Sequence, residues 1–112
     1  MARAATTADA FNAIAEANRR DILLTLAEGE VAVGDLVERL RLSQPQMSKH
    51  LSVLRTVDLV RCRTAGRRRL YRVNRAALEP VDQWMRAFEA RWNDRLDRLD
   101  DLLTELQQED NR

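Results

Sequence analysis

Apolar residues recur along this 112-residue chain at two periods, and the alternation between them lays out its elements. Phe11, Ile14 and Ala15 share one side of a first helix that runs to about Glu16. Asn18 can cap a second helix, from Arg19 to Ala27, that buries Ile22, Leu23 and Leu26 and stops at Gly29. Val31-Ala32-Val33 is short, apolar and largely β-branched, which fits one sheet-edge strand. Gly34 opens a third helix, in which Leu36, Val37 and Leu40 return to helical spacing. Beyond the turn at Arg41-Leu42, Ser43 and Gln46 form an S-x-x-Q capping box, with Pro45 in the first turn, where its missing N–H costs little. In the helix that follows, about 44–57, Met47, Leu51 and Leu54 pack inward. Pro45, Lys49, Ser52 and Thr56 point the opposite way, and Gln44, Gln46, Ser48, His50 and Arg55 lie on the flanks or the first turn.

The period then changes to two. Val60 to Arg63 and Arg67 to Val73 have β character around a turn at Thr64-Ala65-Gly66, a hairpin over about 60–73. Such a hairpin is marginal alone and needs the helices behind it. From Glu79-Pro80 onward Val81, Met85, Phe88, Trp92, Leu96, Leu99, Leu103 and Leu106 form a stripe roughly 80° wide. One helix over about 80–108 would be ~43 Å long, and the polar tail from Gln107 is expected to fray. The fold class is mostly α with a small β-hairpin wing: one winged helix-turn-helix domain, 1–112, ending in a long helix.

Charge sharpens this picture. The net formal charge of +1 conceals +9 over residues 38–75, flanked by −3 before it and −5 after it. A basic block that coincides with a two-helix turn and a hairpin suits a polyanion. An ordinary surface helix carries Glu/Lys pairs; the helix from Gln44 carries amides and hydroxyls, which read base edges in a DNA major groove. The DNA-binding candidates are therefore Ser43, Gln44, Gln46, Ser48, Lys49, His50, Ser52 and Arg55 on this helix, and Arg67, Arg68 and Arg69 on the wing. His50 as a phosphate contact competes with a packing role. The stripe on the last helix is too long for so small a domain to cover, and the simplest cover is a second copy. The dimer-interface candidates are Phe11, Val81, Met85, Phe88, Trp92, Leu96, Leu99 and Leu103. Trp84 and Trp92 fit a dimer core or the walls of an effector pocket.

Other chemistries find no footing. One cysteine excludes an internal disulfide framework and fits a reducing compartment. Cys62 reads as a small buried strand residue or as a thiol made reactive by neighbouring Arg61 and Arg63. No run is long enough to span a membrane and no secretion-signal pattern opens the chain, so a cytoplasmic protein without a membrane partner is expected. Three scattered glycines make no phosphate loop, and the one His and one Cys mark no dyad. Neither an enzyme nor a cofactor is expected.

Over nearly its whole length the chain resembles the ArsR family of bacterial winged-helix transcriptional repressors. The resemblance is carried by FNAIAEANRRDILLTLAEGEVAVGDLVERL, by LSQPQMSKHLSVLRTVDLV with its S-Q-P-x-x-S-x-H-L pattern from Ser43 to Leu51, and by RTAGRRRLYRV. It implies a homodimer on a palindromic double-stranded DNA operator near its own or adjacent genes, released by an effector. Gln44, Gln46, Ser48 and Lys49 would then touch bases, His50 and Arg55 would lie nearer phosphates, and the three wing arginines, Arg67, Arg68 and Arg69, would contact the backbone or the minor groove. Metal-sensing relatives carry C-x-C-D where this chain has Ala32-Val33-Gly34-Asp35, and the last helix has no histidine. The resemblance is thus to a non-metal branch, with no metal ligands and an unknown small-molecule effector or partner. A metal- or thiol-responsive repressor using Cys62, and a winged-helix protein-interaction module, are the alternatives.

Overall fold

Ser43 starts the helix that organises the molecule. In the computed structural model, which describes residues 7–111, its hydroxyl accepts from the Gln46 N–H at 3.2 Å while the Gln46 side-chain oxygen accepts from the Ser43 N–H at 3.0 Å. Both halves of the capping box form, with Pro45 in the first turn. The helix so begun, α4 (Gln44–Thr56), buries Met47, Leu51 and Leu54 as the spacing requires. They meet Ile22 of α2 (Ala17–Leu26), Leu36 of α3 (Val33–Leu40), and Leu59 and Val60 at the start of the hairpin; all of these side chains are essentially inaccessible.

The boundaries differ from the sequence expectation where side chains outside an element decide them. The first helix, α1 (Thr7–Ala13), ends earlier than Glu16. Arg19 donates from Nε to the Ala13 carbonyl at 2.6 Å and from Nη2 to the Asn12 carbonyl at 3.2 Å, and Arg20 donates to the Ile14 carbonyl at 2.9 Å. These two arginines satisfy the terminal carbonyls of α1. Helix α2 starts at Ala17 behind Glu16, which makes no side-chain cap, so Asn18 is not the cap. Arg41 closes α3 in the left-handed region (φ 55°), and Asp58 takes the same region after α4 (φ 62°). Asp58 is held there by Asn74, whose Nδ2 donates to its carbonyl at 2.9 Å.

The strands β1 (Val31–Ala32), β2 (Val60–Ala65) and β3 (Arg68–Val73) form one antiparallel sheet in the order β1-β3-β2. Ala65 pairs with Arg68, so the hairpin turns on Gly66-Arg67, not on Thr64-Ala65-Gly66. Gly66 at φ 62° takes the first central position of a two-residue turn, where a type II′ geometry wants glycine. A 3-10 helix (Arg75–Leu78) leads into α5 (Glu79–Asp110), which stays helical through the tail expected to fray. Where length leads one to expect a single domain, the chain divides between Val81 and Asp82 into two compact units, a winged-helix one and a helical one. Among the described residues no helix is long and apolar enough to cross a membrane. The opening six residues, which bear on the signal-peptide reading, lie outside the described part.

Candidate nucleic-acid interface

The outward side of α4 carries the polar set. Ser43, Gln44, Gln46, Ser48, Lys49, Ser52 and Arg55 are all exposed, because Met47, Leu51 and Leu54 take the inward positions of the same helix. Gln44, Ser48, Ser52 and Arg55 follow one another at three- or four-residue steps and, with Arg69 and Tyr71 of β3, line a cleft of about 460 Å³ between the helix and the hairpin. Gln46 and Lys49 are not part of that lining. The Gln46 oxygen is already engaged in the capping box, so its amide NH2 is the part left to donate.

His50 departs from the expectation of a phosphate contact. It is only 8% exposed, and its Nε2 lies 3.3 Å from a carboxylate oxygen of Glu16. Glu16 also receives Arg19 Nη1 at 2.8 Å. One position after Lys49, the ~100° step carries the imidazole toward the apolar side, where an acidic group from the α1–α2 turn meets it. Its Nδ1 is buried with no partner among the described residues.

The hairpin sorts its arginines by face. Strand residues two apart share a face, and the register pairs Cys62 with Tyr71, Arg63 with Leu70 and Arg61 with Arg72. Arg61, Arg63, Arg68 and Arg72 therefore stand on the side opposite Cys62, Arg69 and Tyr71. Three of that outer row are matched by carboxylates. Arg63 grips Glu30 at 2.6 to 3.0 Å, Arg68 reaches Asp35 at 2.9 Å, and Arg61 reaches Asp58 at 3.2 Å. Hydrogen bonding from Arg63 holds the Glu30 carboxyl below its ordinary 4.5, and Arg61 does the same to Asp58 below 3.8. Arg67, at the exposed turn, has no ion pair among the described residues. Arg69 sits 5.9 Å from the centre of the Tyr71 ring and against the Cys62 thiol, facing the cleft.

The wing arginines thus split: Arg67 and Arg69 are uncommitted to acids, and Arg68 is held by α3. Cys62, half-buried, has Arg69 and Tyr71 as its neighbours rather than Arg61 and Arg63. Burial, followed by the Cys62 contact, pushes the Tyr71 hydroxyl above its ordinary 10.0. The cleft residue Tyr71 was not singled out from sequence, although the R-x-Y alternation puts Arg69 and Tyr71 on one face.

Of the interface candidates, Met85, Phe88, Trp92, Leu96, Leu99 and Leu103 are exposed on α5, together with Trp84, Leu102 and Leu106, at 41–54%. Val81 and Phe11 are half-buried. Trp84, Phe88 and Trp92 stack along the helix with ring centres 5.6 and 6.5 Å apart.

The profile described as "Bacterial regulatory protein, arsR family" matches residues 16–61, from the Glu16 turn through α4 to the start of β2. The HTH-type transcriptional regulator Rv2034 of Mycobacterium tuberculosis is 45% identical over 69 residues, 62% of this chain and 64% of that protein's length. The transcriptional repressor SdpR of Bacillus subtilis is 32% identical over 70% of this chain and 87% of its own. A solved structure described as a possible transcriptional regulator for arsenical resistance superposes with a TM-score of 0.65 at 35% identity, over 81% of this chain and 92% of that one. The capped polar helix, the wing and these matches agree, and the chain belongs to the arsR family of bacterial regulatory proteins, as a DNA-binding transcriptional regulator and not an enzyme.

Proposed function

We propose that the protein is a homodimeric repressor that binds a palindromic operator near its own or adjacent genes, and that a non-metal effector or partner releases it. The observation that carries the DNA reading is the pairing of a capped helix, polar along its exposed side, with the cations Arg55 and Arg69, which line one cleft beside it and are not paired with acids among the described residues. The helix enters the major groove with Gln44, Gln46, Ser48 and Lys49 toward bases, helped by Ser43 and Ser52. Arg55, Arg67 and Arg69 take phosphates, and Arg68 joins them only by leaving Asp35. The exposed stripe of α5 supports the homodimer, since an apolar face of that length is unstable in water.

Mapping of bound sites across the genome, followed by footprinting, tests this. Two protected half-sites related by a two-fold axis, with centres ~34–36 Å apart or a multiple of that, are expected. Tight binding of one asymmetric site by a monomer would overturn it. The non-metal trigger is supported by donor chemistry: His50 is turned inward against Glu16, and Ala32 and Gly34 offer no ligand atoms in their side chains. Operator release by zinc, cadmium, copper(I) or arsenite that disappears in Cys62→Ser would reverse that reading. A thiol response is the second reading, because Cys62 touches Arg69, one of the cations facing the cleft. Oxidant-induced release lost in Cys62→Ser would establish it.

A further inference from the structure

The winged-helix unit holds a second cleft that the DNA reading does not use. It has a volume of about 640 Å³ and lies between α2, the end of β3 and the 3-10 helix. Leu23, Leu26, Val73 and Leu78 form its apolar floor. Leu24 stands at its mouth and, at 69%, is the most exposed large apolar side chain of that unit among the described residues. The volume falls in the range of small-molecule sites, about 300–1,000 Å³.

Its rim is basic. Arg20, Arg72 and Arg75 line the cleft, and Glu30 is the one acid beside them. Glu30 is gripped by Arg63 and also feels the charge of Arg72, which leaves the rim with three arginines against one shared acid. Neither Arg72 nor Arg75 makes an ion pair among the described residues, and Arg20 spends one N–H on the Ile14 carbonyl. No aromatic ring lines the cleft, so a flat heteroaromatic ligand would find nothing to stack on. An aliphatic floor with arginines along the rim matches a ligand with a hydrocarbon tail and a planar anionic head.

We propose that this cleft binds a medium-chain aliphatic carboxylate, its tail on Leu23, Leu26, Val73 and Leu78 and its head on Arg72 and Arg75. The proposal deepens the non-metal effector reading and rests on it for its biological role. Arg72 and Val73 belong to β3, which at its other end carries Arg69 into the DNA cleft. A ligand on this cleft therefore bears on the strand that aims a DNA-facing cation.

Titration calorimetry of the full chain with decanoate, kept below its micellar range, and with decanol tests the site directly. The expected result is saturable decanoate binding at one per chain and at least ten-fold weaker decanol binding. Arg72→Glu/Arg75→Glu should weaken decanoate at least ten-fold. So should Ala27→Trp, which fills the cleft from an exposed position at the end of α2. Wild-type thermal melting of both variants shows that they fold. Equal binding of decanol, absence of saturation, or indifference to both variants overturns the site. A Leu24→Glu variant that becomes monomeric, in a protein that takes up no decanoate, assigns the cleft to a second copy and also overturns it. The effector reading fails separately: decanoate that binds, is lost in the variants, yet leaves operator affinity unchanged keeps the site and removes its regulatory role.

Discussion

Gln46 is placed to do two things at once, and two substitutions separate them. Its side-chain oxygen accepts from the Ser43 N–H at 3.0 Å, and its own N–H donates to the Ser43 hydroxyl at 3.2 Å. Gln46→Ala removes the first bond and keeps the second. Both groups are exposed, so the lost bond is worth its net exchange with water, about 0.5–1 kcal/mol. Gln46→Glu keeps an acceptor for the Ser43 N–H and adds a negative charge at the helix N-terminus, returning about 0.3–1 kcal/mol. On DNA the order reverses. The amide NH2 is the donor that the capping box leaves free, and losing a base contact costs about 1–3 kcal/mol on the cognate site. A carboxylate offers no donor and is repelled by phosphates, so Gln46→Glu should bind no better than Gln46→Ala. Urea denaturation should rank stability Glu, Gln, Ala from highest to lowest. Titration of the operator and its single-base variants should rank affinity Gln first, with the discrimination ratio reduced in both substitutions. An alanine variant that loses stability but keeps the wild-type discrimination ratio would refute base reading by Gln46 and leave it a cap alone.

Four further outcomes follow from the same geometry. Arg67→Ala and Arg69→Ala should each lower the log–log salt slope of operator binding by about 0.9, whereas Arg68→Ala should change it less because Asp35 holds that side chain; equal slopes for all three would show that the ion pair gives way on DNA. Phe88→Asp or Trp92→Asp, on the exposed stripe, should give monomers by light scattering with much weaker operator binding, and a tight-binding dimer would contradict the α5 interface. His50→Ala should cost about 1–3 kcal/mol in denaturant unfolding, since the imidazole is buried against Glu16; unchanged stability with lost DNA binding would restore the phosphate contact. Glu30 has a lowered folded pKa, so its stabilising effect is present above its unfolded value near 4.5 and fades as pH falls through the folded one. The melting difference between wild type and Glu30→Gln should therefore shrink on acidification below about pH 4.5, and a constant difference would show that Arg63 gives Glu30 no such support.

The sequence alone determined the elements whose signals are local. A capping box spans three residues, and Ser43 and Gln46 close it as read. Helical spacing of Met47, Leu51 and Leu54 named the buried face of α4, and by exclusion the exposed polar side that carries Gln44, Ser48, Lys49, Ser52 and Arg55. The apolar stripe of α5 is equally local, because one helix repeats one angle per residue.

Tertiary structure decided what depends on partners distant in the chain. Glu16 meets His50 across 34 positions in sequence, which turned a residue read as a phosphate contact into a buried one. Arg63 and Arg68 each find their carboxylates 33 residues away, so three of the six hairpin arginines, Arg61, Arg63 and Arg68, are paired with acids, a difference that their count in the sequence does not show. The position of the hairpin turn is likewise a matter of register, set when Ala65 pairs with Arg68. The end of α1 depends in the same way on Arg19 and Arg20, which reach back to carbonyls six and seven residues earlier. Periodicity fixes which way a side chain points; what it points at is settled only when other elements pack against it, because ion pairs and buried polar groups take their partners from the whole fold.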